Sequence, residues 1–493
     1  TDSFTEDVET SPLIDAADPA ADWSLETSAT SGTSGRRANL GLYGGTSQAS
    51  RTPTNTTIVL LTLNEGGVVS GTNLLRWIAR GEITNAGYMV EIRLSTNSGA
   101  DNFSTVLGTV AATNGVYTWN STTNPSVPTA RWRVQSINFE SWRATSERDF
   151  TIHNSNIAYY VNDGFTNGDV YCTGIGLTTN SGASPASPLP SISAVLSQYD
   201  LEPGDTLWID TGVYGQNEPL NIGNLDSGST TSPIQFLGST NYPGTSITGA
   251  GIRVENARGI HLKDLRIASP TVAHDAVSLA SSEDVGFEQV DIMGRWGNGL
   301  VILASSNISL SNSVVSGAMT NGVTSQGSFN TRLDFDTIWS NGASQVQTRT
   351  AIVNWTVVPG RDTASVAVSN SVLMAYGTRK PIYDIQGSLL ANYNDLYHFG
   401  NALVALIDMT NFNREVDSVG TWIGLSSQDS FSLSHNPRYA DPQAGNFHPK
   451  SSAGRYDPPT GTFLVTDPPA ENSPLIDAGD PTRACTEPAF NGS

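Results

Sequence analysis

The sequence predicts an all-β protein whose main body is a right-handed parallel β-helix of about twelve coils. A β-sandwich precedes it, and an N-terminal segment matches a β-helix closing motif. Three observations carry this reading. Charged residues are only 14% of the 493 residues, and Gly alone contributes 47, a composition that favours turn-rich β structure. Apolar alternation recurs at offsets of 20–25 residues in the second half, the length of one three-strand coil. One nine-residue motif occurs twice, near the two ends of the chain.

The long-range repeat comes first. Ser11-Pro12-Leu13-Ile14-Asp15-Ala16-Ala17-Asp18-Pro19 returns as Ser473-Pro474-Leu475-Ile476-Asp477-Ala478-Gly479-Asp480-Pro481, identical at eight of nine positions and offset by 473 − 11 = 462. The first copy runs on into Arg36-Arg37-Ala38-Asn39-Leu40-Gly41-Leu42-Tyr43-Gly44-Gly45-Thr46, and the second does not. A tandem array with a 462-residue period, cut out of phase with its own domain, accounts for this. Residues 1–50 are then the closing segment of a preceding β-helix unit.

Residues 51–57 form a Thr-rich linker. Residues 58–153 read as an immunoglobulin- or fibronectin-like β-sandwich. Seven short alternating runs are expected as strands: Ile58–Leu63, Asn73–Ala79, Tyr88–Ser95, Val106–Val110, Gly115–Trp119, Ala130–Ser136 and Ser146–Ile152. The stretch resembles the small sandwich domains that space modules in bacterial surface proteins. Trp77, Trp119 and Trp132 are its expected core aromatics.

Residues 158–450 carry the β-helix expectation. Ile260-His261-Leu262, Val285-Gly286-Phe287 and Ile308-Ser309-Leu310 follow one another at steps of 25 and 23. Asn298-Gly299 and Asn321-Gly322 are 23 apart, and Asn341-Gly342 follows 20 later. Asn-Gly is expected to supply left-handed backbone at a corner. Asn312, Asn370 and Asn394 are expected to stack as an asparagine ladder, and residues 345–379 to hold side loops. Residues 191–200 are the one helix the pattern supports. Its position, followed by Glu202-Pro203-Gly204-Asp205-Thr206-Leu207-Trp208-Ile209-Asp210, resembles the opening of pectin-lyase-like parallel β-helix domains. There a short helix covers the otherwise bare first coil. His435-Asn436-Pro437-Arg438-Tyr439-Ala440-Asp441-Pro442, Gly445-Asn446-Phe447-His448 and the second Ser-Pro-Leu-Ile-Asp motif resemble the closing segment of the same domains. Residues 451–493 are thus a closing motif and tail.

Lys plus Arg is 25 against 46 Asp plus Glu, a net charge of −21. That excludes a nucleic-acid footprint and disfavours anionic lipid. No apolar run reaches membrane-spanning length, so no membrane insertion is expected. The fold that the resemblance implies hosts polysaccharide lyases and hydrolases, and a hydrolase needs clustered carboxylates. Asp334 and Asp336, two apart and read as sharing a strand face, are one pair. His274, Asp275 and Asp284 are nearby in sequence. Lyases of this fold use Lys or Arg as base, which singles out Lys263 and Arg266 beside Asp264. For each set the plainer reading is a solvated strand face or a surface ion-pair ladder. No residue is therefore assigned a catalytic role. Asp15, Asp18, Asp477 and Asp480 could hold calcium through carboxylate oxygens, against a local turn in which each Asp bonds its own backbone. His153, His261, His274, His398, His435 and His448 show no zinc spacing.

The two cysteines, Cys172 and Cys485, are expected near opposite ends of a stack on the order of 55 Å long. A bridge between neighbouring units is then the sharper hypothesis, against two inert thiols. The leading functional expectation is a structural, self-associating extracellular or cell-surface scaffold. Head-to-tail copies would meet through Ser11, Pro12, Leu13, Ile14, Asn39, Leu40 and Tyr43 on one side and Ser473, Pro474, Leu475 and Ile476 on the other. The alternative is a glycan-binding adhesin, or a polysaccharide lyase or hydrolase, using the β-helix face. Trp296, Trp339 and Trp355 are its aromatic candidates and surface polysaccharide its partner.

Overall fold

The computed structural model describes residues 11–18, 20–31, 37–53, 55–269, 274–339, 353–356, 365–377, 381–385, 387–409 and 412–483. The chain divides into two compact units, Thr1–Ile157 and Ala158–Ser493.

The first unit is built on two facing sheets. One pairs Thr57–Leu60, Thr72–Arg80 and Val116–Asn120. The other runs Val68–Val69, Phe150–Ile152, Val127–Ser136, Met89–Ser95, Thr105–Ala111, with Arg143–Thr145 beside Val127–Ser136. All seven expected strands are present, with shifted ends. Alternation aims Ala130, Trp132 and Val134 inward from one strand, where they meet Leu75, Trp77 and Trp119 from the opposite sheet in one core cluster. The indole N–H groups of Trp77 and Trp132 donate to the carbonyls of Ala112 and Thr62, both at 3.0 Å, so these rings are buried without an orphaned donor. The described residues between 11 and 52 fold mostly as turns and reach this sandwich through Arg80, which donates to the Pro12 carbonyl at 3.0 Å.

The second unit is the parallel β-helix. Nine strands stack in parallel on its first side, from Ala158–Val161 to Ser388–Asn392. Their inward residues form a continuous column: Tyr159, Leu207, Phe236, Leu262, Phe287, Leu310, Leu333, Val368 and Ala391. All are buried. This is why the sequence repeats every 23–25 residues: each coil must return an apolar side chain to the same height on the same face.

The stack is shorter than the expected twelve coils, because coils differ in length. Ala158 pairs with Thr206 and Thr331 with Val366, separations of 48 and 35 residues. Ile192–Gln198 falls inside the first of these, capped by the Ser191 hydroxyl, and is the expected helix. Regular coils also end earlier than residue 450. Phe412–Val416 folds back antiparallel on Leu403–Met409, covering the last edge. A second helix that the pattern missed, Val419–Ser426, follows it, and the Trp422 ring lies 5.5 Å from Tyr383. Gly420 and Gly424 hide it from a propensity reading, while Ser418 caps it.

Corners are made by stacked left-handed residues. One column is Asp264, Gln289, Asn312, Phe335, Asn370 and Tyr393, with φ from 51° to 61°. A second is Asn256, Ser281, Ala304 and Gly327. From Gln289 in the first column and Asn256 in the second, the residue after each corner makes an internal ladder in which one coil's backbone N–H donates to the next coil's side chain. At the first corner Val290 donates to Ser313, Ser313 to Asp336, Asp336 to Ser371, Ser371 to Asn394 and Asn394 to Ser432, at 2.9–3.0 Å. Only Asn394 of the three expected asparagines belongs to this ladder. Asn312 and Asn370 are corner residues one step earlier. Asn298-Gly299 and Asn321-Gly322 are not among the left-handed residues. Gly299 is needed for space instead: a Cβ there would lie 2.4 Å from Val315 Cγ1. Asn341-Gly342 lies outside the described residues, as do several positions of the expected 345–379 loop region.

Candidate functional site

The strand Phe329–Asp334 turns Thr331 and Leu333 into the core and presents Asn330, Arg332 and Asp334 outward. The next two strands place Ala367 and Leu390 in register with Arg332, and Ser369 and Asn392 in register with Asp334. Ala367 is small, so the surface dips between the longer side chains around it. The resulting cleft, about 300 Å³, is lined by residues including Arg332, Asp334, Ser365, Ser369, Ser388 and Arg483. Arg483 comes from the C-terminal segment and pairs with Asp334 at 2.8 Å. The other Asp334 oxygen accepts from Ser369 and Asn370, both at 2.8 Å. Phe329 and Phe335, at the two ends of the outward set, are 53% and 46% exposed.

A polar relay leads along the face to this cleft. Arg332 Nε donates to Asn330, Asn330 to Asn307 at 2.6 Å, and Asn307 to Asp284 at 2.9 Å. Thr230 and Arg258 also donate to Asp284. Burial pushes the Asp284 carboxyl up, but these hydrogen bonds prevail and hold it below the usual range. Asp284, Asn307 and Asn330 are spaced by 23 residues and all have left-handed φ of 55–56°. That offset was the signal by which the sequence could have shown them. Arg332 and Arg483 carried no such signal.

Asp334 and Asp336 do not share a face, contrary to their expected pairing. The left-handed Phe335 between them turns the chain, leaving Asp334 on the outside and Asp336 buried in the internal ladder. Burial drives the Asp336 carboxyl well above its ordinary range. Asp275 is occupied elsewhere, accepting from the Asn298 backbone and amide. Lys263 pairs with Glu288 at 2.5 Å and Arg266 with Asp291 at 3.5 Å, one coil apart. This is the ion-pair ladder.

The remaining expected sites are placed as follows. Asp18 and Asp480 accept from the backbone N–H two residues on, Ala20 and Thr482, at 2.8 and 2.9 Å, as local turns do. Asp15 is buried, accepts from Thr52 at 2.9 Å and faces Arg80 Nε at 4.0 Å. Asp477 is exposed. Among the described residues no group of three or more His, Cys, Asp or Glu could hold a metal ion. Cys172 is buried, its backbone N–H on Asp210 and its thiol pushed up by burial, an environment that disfavours the reactive thiolate. Cys485 lies outside the described residues. Trp296 is buried with its N–H on Met293, and Trp339 packs among Tyr397, Tyr439 and Phe447. Neither lines an open groove. Trp355 lies in the strand Val353–Thr356, and its side chain is outside the described set.

Stacked coils, left-handed corner columns and an internal polar ladder define the second unit as a parallel β-helix. No family model and no curated protein matches the sequence. Solved structures with some likeness include pectate lyase Pel9A, at 13% identity and TM-score 0.32, covering 51% of this chain and 69% of that one. The GH136 lacto-N-biosidase from Eubacterium ramulus has 11% identity and TM-score 0.27, covering 50% and 57%. The catalytic domain of GH87 alpha-1,3-glucanase in complex with nigerose has 11% identity and TM-score 0.17, covering 78% and 91%. These likenesses concern the fold alone. No described helix is long and apolar enough to cross a membrane.

Proposed function

We propose that this chain is an extracellular glycan-binding protein that holds a polysaccharide against the first side of its β-helix. The observation that carries the reading is the cleft at Arg332, Asp334 and Arg483. It combines guanidinium, carboxylate and hydroxyl groups on one rigid strand face, with exposed Phe329 and Phe335 beside it. Sugars offer hydroxyl pairs to such groups and apolar C–H faces to aromatic rings. Strands repeat every ~4.8 Å along the stack, close to the length of one sugar unit, so an extended chain can meet successive coils in the same way.

Binding is favoured over hydrolysis by the acid count. Asp334 is the one carboxylate among the described residues that line the cleft, and glycoside hydrolysis in its usual form needs two. Titration calorimetry with neutral and uronate-containing oligosaccharides tests the reading. A binding oligosaccharide is expected, with affinity reduced about tenfold or more by Arg332→Ala or Asp334→Ala. Absence of binding by any glycan class, with the fold intact, overturns it. Release of shorter products would instead favour the enzyme.

The self-associating scaffold stays as a second reading for one observation, the geometry of the repeated motif.

A further inference from the structure

The two copies of the nine-residue motif fold alike except at one carbonyl: Leu13 O accepts from Leu40 N at 2.9 Å, whereas Leu475 O accepts from Ala478 N at 3.2 Å. Ser11 Oγ accepts from Leu13 N, and Ser473 Oγ from Leu475 N, both at 3.2 Å. Asp15 and Asp477 are both left-handed, with φ of 52° and 57°. Asp18 and Asp480 accept from the residue two on. Their surroundings differ. The first copy is covered by described residues of the 22–52 segment: Leu40 N donates to Leu13 O at 2.9 Å, Ala17 N to Ala38 O at 3.0 Å, and Asp15 N to the Asn39 side chain at 2.8 Å. Glu26 fixes that covering segment by accepting from Asn39 N and Gly45 N, both at 2.7 Å. The second copy is anchored from beneath, Ser473 on Lys450 and Pro437 and Asp480 N on Asn370. Among the described residues nothing takes the place of Asn39 or Ala38 at Asp477 and Gly479. Ile476 is 45% exposed.

We propose that the Ser473–Pro481 motif is a docking site for residues 22–52 of a second copy of this chain. The occupant is set by the first copy, where an almost identical motif in the same conformation is covered by that segment. Leu475 O, Asp477 N and Gly479 N are the positions equivalent to Leu13 O, Asp15 N and Ala17 N. Asp477 N and Gly479 N donate to the Asn39 side chain and the Ala38 carbonyl, and Leu475 O, which accepts from Ala478 N at 3.2 Å within the motif, takes Leu40 N on its second lone pair or in exchange for that bond. The Asp477 carboxylate gains the Thr52 hydroxyl but not Arg80, which lies outside the segment. The incoming segment leaves its own first motif, so the exchange loses and regains similar contacts and is driven by concentration. Repeated from copy to copy, such a head-to-tail contact extends an assembly without closing it. The inference is independent of the glycan reading.

A labelled synthetic peptide of residues 22–52, titrated with the full chain and followed by fluorescence anisotropy, tests it. Saturable 1:1 binding with Kd at or below ~100 µM is expected. Asn39→Ala in the peptide, or Gly479→Pro in the chain, should weaken it about tenfold or more. The peptide substitution leaves the chain's own folding untouched. No binding up to ~1 mM overturns the proposal. So does binding that survives Gly479→Pro but is lost on Ala17→Pro, since the peptide would then be exchanging into the first motif.

Discussion

In the sandwich, Trp132 meets Leu75, Trp77 and Trp119 in a single cluster drawn from strands far apart in sequence. In the β-helix, Leu262 sits in its column between Phe236 and Phe287, each one coil away. The first core is one object, so a defect is shared by every strand. The second is a stack whose contacts are between neighbours, so a defect is felt locally and the column continues past it. The largest effect that would break this contrast is Trp132→Ala. It is expected to cost about 3–5 kcal/mol, enough to unfold a small sandwich. Calorimetry should show the sandwich transition lost and the β-helix transition kept. Loss of both together would mean that the two units do not melt separately.

Leu262→Ala comes next, at about 2–5 kcal/mol. Hydrogen exchange is expected to accelerate mainly in the coils holding Phe236, Leu262 and Phe287. Uniform acceleration from Tyr159 to Ala391 would show that the stack unfolds as one piece and would remove the contrast.

The same contrast explains what the sequence disclosed. Stacking forces a period, and a period is legible in Ile260, Val285 and Ile308 without any knowledge of the fold's closure. The coil count was overestimated because a period says nothing of where the chain makes an excursion, as between Val161 and Thr206. Asn312, Asn370 and Asn394 looked equivalent because asparagine suits both a left-handed corner and an internal ladder. Which role each takes depends on a one-residue shift that composition does not show. The cleft was illegible for another reason. Arg483 reaches Asp334 from about 150 residues further along the chain, and no period links them.

Acid separates the two regions further. Burial pushes Asp226 and Asp395 in the β-helix up to about 6, against opposing backbone hydrogen bonds. An unfolded Asp titrates near ~3.9. The folded β-helix therefore binds protons more tightly between these values. This stabilisation is complete below about 4 and lost as pH rises through about 6. The β-helix melting temperature is expected to rise between pH 7.5 and 5, and less so in the Asp226→Asn, Asp395→Asn double variant. Asp336→Asn should act in the same direction at neutral pH. It keeps an acceptor for Ser313 N and replaces a buried carboxyl, whose ionised form burial penalises and whose second oxygen meets no described partner, with a neutral amide, a gain of about 1–3 kcal/mol. A drop in stability at pH 7.5 would show that the ladder requires the carboxylate.

The smallest effect probes the corners, which the sandwich has no counterpart for as a stacked column. Ala304 is exposed and left-handed, with φ of 47°, between Ser281 and Gly327 in its column. A Cβ costs about 1–2 kcal/mol in that conformation, while glycine gives back part of this through its freer unfolded chain. Ala304→Gly is thus expected to stabilise the β-helix by about 0.5–1 kcal/mol. At Gly81 in the sandwich, φ is 75° and a Cβ would lie 2.7 Å from the Asn55 carbonyl, so Gly81→Ala should destabilise by more than that gain. Paired urea titrations of the two variants measure the difference. If Ala304→Gly instead destabilises, the left-handed columns are held by side-chain packing between coils and not merely tolerated as the bend of a corner.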